Sequence, residues 1–283
     1  MVDLDQIERL LRSLKKKTYY SQLRKKLFYR WRKIHGKERM LPAFIIIGAQ
    51  KAGTTSLFQY LKNHPSIIEP ARKEIFFFDG GRAKGEDIFI EQGLDWYRLH
   101  FPRIHSSHPN RCTYEATTNY LYSRIAAPRI HQILPTVKLI AILRNPVDRA
   151  ISHYQHNLRK GREQRSLAEA IRADENTLAS LYYSYKSRGL YHEQLLRYKL
   201  FLDRNQLLIV ESEGLSKEPA STMRHIYTFL GLDPSLAKIP TGRRHNASRQ
   251  KATVEPADID FLRNYFKPHN EKLFDLIGQR FPW

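Results

Sequence analysis

The chain has 283 residues, 41% hydrophobic and 12% aromatic, enough to build a sizeable core in one large α/β domain or two small ones. It carries 48 Lys and Arg residues against 28 Asp and Glu residues, and the net charge of +20 indicates an anionic partner. The single cysteine, Cys112, excludes an internal disulfide and a cysteine-rich zinc site. No apolar run reaches the ~18 residues of a membrane span, and the N-terminus lacks the apolar core of a signal peptide. We therefore expect a cytoplasmic protein.

Residues 1–40 predict a basic amphipathic helical extension that precedes the main domain, 41–283. Apolar residues recur there at helical spacing, at Ile7, Leu10, Leu11, Leu14, Leu23, Leu27, Trp31 and Ile34. Basic clusters lie between them, at 15–17, 24–26, 30 and 32–33. Such a helix either lies on an anionic membrane surface or packs on the neighbouring domain with its charged face in water. The sequence leaves both interpretations open, so peripheral membrane contact is a second expectation.

The first strand signal is the apolar run Phe44–Gly48, which ends in a glycine-containing loop and a helical pattern that begins near Leu57. Strand, glycine loop and helix point backbone N–H groups and a helix N-terminus at an anion. Gly48 and Gly53 have the spacing of the glycines in a nucleotide-binding P-loop, but this chain has Thr54 at the position of the P-loop lysine. Its own lysine, Lys51, lies between the two glycines instead. This pattern predicts a phosphate cradle unlike that of a standard NTPase; an ordinary strand–turn–helix is the alternative.

Farther along the chain, strand-like and helix-like segments alternate. Further strands are predicted at about 111–115, 138–143 and 207–210, and a basic surface loop within 156–165. Helices are predicted at about 127–134, 146–159, 190–202, 223–230 and 259–277, the last with a break at Pro268. Apolar strands without alternation, separated by helices, are typical of a parallel sheet covered on both faces. The sequence predicts a single P-loop-like α/β domain with a central parallel sheet flanked by helices.

Four ordered motifs resemble those of the sulfotransferases that use 3′-phosphoadenosine 5′-phosphosulfate (PAPS), and most of all the heparan sulfate sulfotransferase-like branch and its bacterial relatives. The motifs are Gly48–Thr55, Lys73–Phe78, Leu143–Ser152 and Phe281–Trp283, and the resemblance covers about 42–283. It implies transfer of a sulfuryl group from PAPS to a hydroxyl or amine by in-line displacement, which leaves 3′,5′-adenosine bisphosphate. It implies no metal.

The resemblance also implies how the donor binds. The 5′-phosphosulfate would lie on the loop residues Lys51, Ala52, Gly53, Thr54, Thr55 and Ser56, and Lys51 would neutralise charge on the departing phosphate. Arg144 and Ser152 match the family's contacts with the 3′-phosphate. Because Arg144 ends a predicted strand and Ser152 lies early in the next helix, both can face the carboxyl edge of the sheet, where open α/β folds bind ligands. The alternative for Arg144 is an ion pair with Asp148 at the helix boundary.

Two further residues are candidates for the chemistry itself. Glu74 matches the family's general base, which removes the acceptor's proton; the alternative is a surface ion pair with Lys73. His156 lies one helical turn beyond Ser152, on the same face, and matches a histidine near the acceptor in some members. The alternative is an ordinary surface histidine.

Two departures from the animal enzymes bear on the acceptor and on the nucleotide. The residues Asn246, Arg249 and Lys251 fall where the family places a basic loop that closes over the nucleotide. The animal enzymes tie this loop with a disulfide, which a chain with only Cys112 cannot form. They also carry a lysine at the position of Ala116, near their acceptor, and its absence argues against a glycosaminoglycan acceptor.

The acceptor class therefore stays open: a carbohydrate, a glycolipid or another lipid-linked compound, or a small molecule. A basic segment would suit an acidic sugar, with cations at Arg159, Lys160, Arg162 and Arg165, whereas the opening helix would suit a lipid-borne acceptor. The alternative functions are a P-loop nucleotide kinase or NTPase, against which Thr54 argues, and a non-catalytic polyanion-binding protein. We expect no nucleic-acid partner.

Overall fold

The computed structural model describes residues 27–34, 38–81, 85–104, 110–173, 182–203, 205–238 and 254–283. Five strands of these residues form one sheet: β1 (Phe44–Gly48), β2 (Ile67–Ile68), β3 (Cys112–Ala116), β4 (Lys138–Leu143) and β5 (Leu207–Glu211). Their order is β2-β3-β1-β4-β5, and every neighbouring pair is parallel. The predicted α/β domain with a central parallel sheet is confirmed.

Helices connect the strands and cover the sheet. Those of the first half are α1 (27–34), α2 (Thr54–Leu61), α3 (Ile88–Arg98), α4 (Ala126–Ile133) and α5 (Pro146–Arg159). Those of the second half are α6 (Leu167–Arg172), α7 (Tyr191–Lys199), α8 (Ser212–Lys217), α9 (Pro219–Leu230) and α10 (Pro256–Ile277).

The two central strands, β1 and β4, are buried along almost their whole length. Every residue of β1 is buried, and in β4 only the first residue, Lys138, is not. Because helices cover both faces of the sheet, side chains pointing either way leave water, and the strands need no polar alternation. Helix α2 then turns its apolar side, which includes Leu57 and Leu61, to the same core.

Most predicted elements lie within a few residues of their observed bounds, but one expected feature is wrong and several elements were missed. The expected break at Pro268 is wrong, since α10 is continuous through it. Leu262 and Phe266 before the proline, and Leu273 and Phe274 after it, are buried, so packing holds both halves although the proline removes one helix hydrogen bond. The patterns also missed the helices α3, α6 and α8 and the two-residue strand β2.

The segment 156–165 leads from a helix into a loop, as expected, but the loop does not lie wholly at the surface. Helix α5 runs to Arg159, and the Glu163 carboxylate that follows is almost fully buried. Arg165 binds that carboxylate through Nη2 at 2.8 Å, and Tyr185 donates its hydroxyl to it, also at 2.8 Å. An ion pair and a tyrosine therefore anchor the segment on the domain.

Helix α1 shows how the described part of the opening segment is placed. Arg32 is fully buried and donates to the backbone carbonyls of Leu99 and, at 3.1 Å, Phe101. The Arg103 guanidinium lies 5.5 Å from the centre of the Trp31 ring. This part packs on the domain. The remainder of the predicted extension lies outside the described residues. Among the described helices, none combines the length and hydropathy needed to cross a bilayer.

Candidate active site

Three neighbouring strands end together at one edge of the sheet. The loop after β1 holds Lys51, the residue after β4 is Arg144, and Thr117 and Thr118 follow β3. In the sheet β1 lies between β3 and β4, so the chain crosses over β1 when it passes from one to the other. A crossing of this kind leaves a crevice at the carboxyl ends of the strands, which is where open α/β sheets bind ligands.

The loop after β1 has the backbone of an anion site. A Cβ atom on Gly48 would lie 2.7 Å from the Cβ of Leu121, so no side chain fits there. Gly53 takes the left-handed conformation, with φ 93°, directly before α2, and no side chain caps the helix. The N–H groups of the first helical turn have no partner within the helix, and the helix dipole adds partial positive charge at the same end. Lys51 also has positive φ, 70°, a costly conformation that clusters at functional sites.

Arg144 joins this loop directly. Its Nη1 donates to the Lys51 carbonyl at 3.3 Å, and its Nη2 lies 3.7 Å from Asp148 Oδ2. The predicted ion pair with Asp148 is thus present together with the contact to the loop. Tyr191 fixes the backbone here, because its hydroxyl donates to the Arg144 carbonyl at 3.0 Å. Ser152 lies half-buried on α5, the helix that begins two residues after Arg144.

The site is strongly cationic. Burial, followed by the charges of Arg159, Arg144, Lys73 and Arg149, lowers the pKa of Lys51 to about 8. Burial lowers the pKa of His156 to about 4, and the positive charges of Lys51 and of the cations near the end of α5 contribute to the same shift. The His156 ring is therefore neutral at pH 7. Cations held this close to one another repel, and a bound anion would relieve that repulsion.

Lys73 links the loop to the candidate base. Its Nζ donates to Thr54 Oγ1 at 3.2 Å and to Thr55 Oγ1 at 2.9 Å, and it lies 3.8 Å from Glu74 Oε1. Burial lowers the pKa of Lys73, and the charge of Glu74 opposes that shift. The side chains of the pair are only 20% and 24% exposed, so Lys73 and Glu74 lie inside the crevice and not on an open surface.

Glu74 is held against the end of β3. Its backbone N–H donates to the Ala116 carbonyl at 2.9 Å, as a neighbouring strand would. Thr118 binds its carboxylate twice, through Oγ1 to Oε1 at 3.2 Å and through the backbone N–H to Oε2 at 3.4 Å. Glu74 has φ 63° and Phe76 has φ 62°, so a second strained segment meets the strained loop at the site.

Three other residues at this edge escaped the sequence reasoning: Lys73 as a contact of the loop, Thr118 and Asp79. Asp79 is half-buried, and burial raises its pKa to about 6 although Asn119 Nδ2 donates to it at 2.6 Å. Arg188 donates to the oxygen of the same Asn119 amide at 2.8 Å. One signal was available: polar residues that directly follow a buried parallel strand, as Thr118 and Asn119 follow β3, lie at the ligand edge.

Some expectations fall outside what the structure describes. The nucleotide-closing residues Asn246, Arg249 and Lys251 lie among 239–253, which are not described. Within the described ranges, no three His, Cys, Asp or Glu side chains gather in a way that could hold a metal ion.

Comparison with known proteins shows the family to which the chain belongs. A family model described as "Sulfotransferase domain" matches residues 41–256. The chain belongs to the sulfotransferase family. The crystal structure of a sulfotransferase from Alicyclobacillus acidocaldarius is similar, with a TM-score of 0.72 and 30% identity over 86% of this chain and 98% of that one.

Curated relatives include enzymes that act on heparan sulfate. Human heparan sulfate glucosamine 3-O-sulfotransferase 5 is 28% identical over 277 residues, which cover 89% of this chain and 76% of the relative. The bovine bifunctional heparan sulfate N-deacetylase/N-sulfotransferase 2 is 31% identical over 277 residues, 86% of this chain but only 30% of the relative. The resemblance found in the four sequence motifs is confirmed, and the protein is a transferase.

Proposed function

We propose that the protein transfers a sulfuryl group from PAPS to a hydroxyl or amine of a carbohydrate, glycolipid or small-molecule acceptor. The observation that supports this proposal is that the two groups expected to bind PAPS, the Lys51 loop and Arg144, are linked by direct contacts to one carboxylate, that of Glu74. Arg144 contacts the Lys51 loop, and Lys73 bridges the hydroxyls of that loop to Glu74. A donor with phosphate at both ends and one proton acceptor beside it fits that arrangement.

The donor would bind between the ends of β1 and β4. The 5′-phosphosulfate lies on the loop from Lys51 to Ser56, where the helix N-terminus and the lysine meet its charge. Arg144 and Ser152 take the 3′-phosphate, the arginine through its planar pair of donors. The cationic side chains that lower the pKa of Lys51 would also attract the negative charge of the bound donor.

The reaction would then proceed in line. The acceptor's oxygen or nitrogen attacks the sulfur while Glu74 takes its proton, and the bond from sulfur to the bridging phosphate oxygen breaks. The electron pair of that bond stays on the phosphate of 3′,5′-adenosine bisphosphate, where Lys51 and the α2 N-terminus stabilise it. Thr118 holds the Glu74 carboxylate during this step. The neutral ring of His156 is proposed to bind the acceptor by accepting a hydrogen bond from it, while the proton goes to Glu74.

The acceptor we favour is a carbohydrate. The relatives named above act on heparan sulfate, and exposed cations continue from the site helix at Arg159, Lys160 and Arg162. Incubation of radiolabelled PAPS with cell extracts, followed by identification of the labelled product, would name the compound. A labelled small molecule or lipid would contradict a carbohydrate acceptor.

Two expectations about location stay predictions from the sequence. The cytoplasmic setting rests on composition, and contact of the basic residues 15–17 and 24–26 with an anionic membrane rests on their pattern. Helix α1, the part of that segment that is described, packs on the domain through Arg32.

Titration with 3′,5′-adenosine bisphosphate tests the donor site. We expect Arg144→Ala to weaken binding by ~10- to 100-fold, because a charge-assisted pair with phosphate is lost. The control is Arg263→Ala, which removes the same charge from an arginine that is 69% exposed on α10, and it should bind as the natural protein does. Equal affinity of both variants would contradict the assignment of Arg144.

Turnover of Glu74→Gln tests the base. The amide keeps the size of the side chain and cannot accept the proton, so the rate should fall by ~10²- to 10⁴-fold with unchanged affinity for the bisphosphate. Natural turnover in this variant would remove Glu74 from the chemistry and leave the donor site intact.

A further inference from the structure

A second carboxylate, Glu115 at the end of β3, lies behind the site and is fully buried. Three hydroxyls donate to it. Thr117 Oγ1 and the Tyr120 hydroxyl bind Oε1 at 2.8 and 2.5 Å, and the Tyr97 hydroxyl binds Oε2. A buried carboxylate is costly unless its oxygens are paired, and these three donors pair it without a cation.

The two hydroxyls on Oε1 also accept hydrogen bonds, from the segment that follows Glu74. Thr117 Oγ1 accepts from the backbone N–H groups of residues 75 and 76 at 3.0 and 3.4 Å. The Tyr120 hydroxyl accepts from those of residues 77 and 78 at 3.0 and 3.3 Å. A hydroxyl has one proton. Because each hydroxyl donates its proton in a hydrogen bond to Glu115, its lone pairs are left to accept from the backbone.

This segment needs support of that kind. Residues 73–78 belong to no helix or strand, and two of them, Glu74 and Phe76, have positive φ. Non-glycine residues keep that conformation only where their surroundings impose it. Here the surroundings are hydrogen bonds. Four consecutive backbone N–H groups donate to two hydroxyls, and the Glu74 N–H donates to the Ala116 carbonyl. Together these bonds hold the segment in its positive-φ conformation.

We propose that Glu115, acting through Thr117 and Tyr120, is a positioning residue that sets the place and direction of the Glu74 carboxylate. The inference rests on the proposed role of Glu74 as the base. Tyr97 binds the other carboxylate oxygen and is not part of this path, since the N–H groups of 75–78 donate to the other two hydroxyls.

Two matched variants test the proposal, Tyr120→Phe and Tyr97→Phe. Both tyrosines are fully buried and each loses one hydroxyl bond to Glu115, but only Tyr120 holds the segment after Glu74. With radiolabelled PAPS as donor and heparan sulfate as probe acceptor, Tyr120→Phe should lower kcat by ~10- to 100-fold, since small misplacements of reacting groups cost that much. Tyr97→Phe should change kcat by less than about threefold. Both should bind 3′,5′-adenosine bisphosphate as the natural protein does.

If heparan sulfate takes no label, release of labelled sulfate from PAPS to water gives the same comparison, because water then stands in for the acceptor. Equal kcat losses in the two variants, or natural kcat in Tyr120→Phe, would overturn the proposal. Should Tyr120→Phe fail to fold, Thr117→Val against Thr117→Ser provides the same contrast, since serine keeps the hydroxyl and should restore kcat.

A double-mutant cycle separates this proposal from the proposed function. Tyr120→Phe should cause no more than about a twofold further loss in a Glu74→Gln background, because the group it positions is already inactive. The full loss in both backgrounds would overturn the positioning role while Glu74 keeps its own. Natural turnover in Glu74→Gln alone would overturn the base, and the positioning role with it.

Discussion

Lys51 has to be charged when the donor binds, yet its surroundings favour the neutral amine. Burial and four neighbouring cations lower its pKa to about 8, so the side chain is mostly charged at about pH 7 and mostly neutral at about pH 9.5. A phosphate brought beside it favours the charged form. Binding of the donor and protonation of Lys51 should therefore be linked.

We expect the affinity for 3′,5′-adenosine bisphosphate to fall by about tenfold between about pH 7 and about pH 9.5, because bound anion and proton support each other. Titration calorimetry at several pH values measures this slope. Lys51→Ala should bind more weakly and lose most of the slope; an unchanged slope in that variant would assign it to another group.

Unfolding cannot imitate this result. A lysine with a lowered pKa binds fewer protons in the folded protein than in the unfolded chain, so its contribution to stability rises with pH between about 8 and 10.5. Between about pH 8 and pH 10.5, the contribution of Lys51 to the free energy of unfolding and its contribution to nucleotide affinity should thus change in opposite directions.

Among the elements, α5 and α10 are joined by a close approach at Gly189. A Cβ atom there would lie 2.7 Å from Cε1 of Phe266 on α10 and 3.1 Å from Cβ of Pro146, the first residue of α5. Because α5 carries Ser152 and His156, this contact helps to determine where that helix lies relative to the sheet edge.

Gly189→Ala should lower stability by ~1–3 kcal/mol, the usual cost of overpacking a close contact, and Tm by several degrees for a chain of this size. Gly214→Ala on α8 is the control. Its new methyl would meet nothing nearer than 3.7 Å, and alanine favours a helix, so Tm should hold or rise slightly. Thermal unfolding compares the two; equal changes would show that Phe266 moves aside freely.

Local patterns predicted the elements whose signals are local. The run before Gly48, the helical spacing from Leu57, and Pro146 at the start of α5 each gave the right element, because each is read within one or two turns of chain. The four motifs likewise placed Lys51 and Arg144, whose contact the structure shows.

The rest of the site depends on contacts distant in sequence, and here patterns fail. Glu115 falls within a strand, and nothing in its neighbours announces that Tyr97, 18 positions earlier, will bind it. The hydroxyl of Thr117 supports residue 75, which is 42 positions away. Helix α3 was missed because Gly93 interrupts it with a non-helical conformation.

At the scale of the whole molecule, the question is which part of the net charge of +20 acts in binding. Cations such as Arg263 and Arg280 pair with carboxylates on exposed surfaces of α10 and beyond, and pairs of that kind contribute little. The exposed Arg159, Lys160 and Arg162 lie at and just beyond the end of the helix that carries Ser152 and His156. Arg159 lies near enough to Lys51 to help lower its pKa, so an anionic acceptor that enters the site beside α5 would meet these cations.

Replacing Arg159, Lys160 and Arg162 by alanine should therefore weaken binding of heparan sulfate, used here as a polyanionic probe of this surface, by at least ~10-fold at about 50 mM salt. It should also reduce the slope of log affinity against log salt concentration by up to about three. Each contact between a cation and the polymer releases a counterion on binding, and the variant forms up to three fewer such contacts. A matched variant removes the same charge from exposed positions on other helices, Lys217, Arg224 and Arg263, and should lose little of either. If both variants weaken binding equally, the polymer responds to total charge alone, and the surface beside α5 has no part in selecting the acceptor.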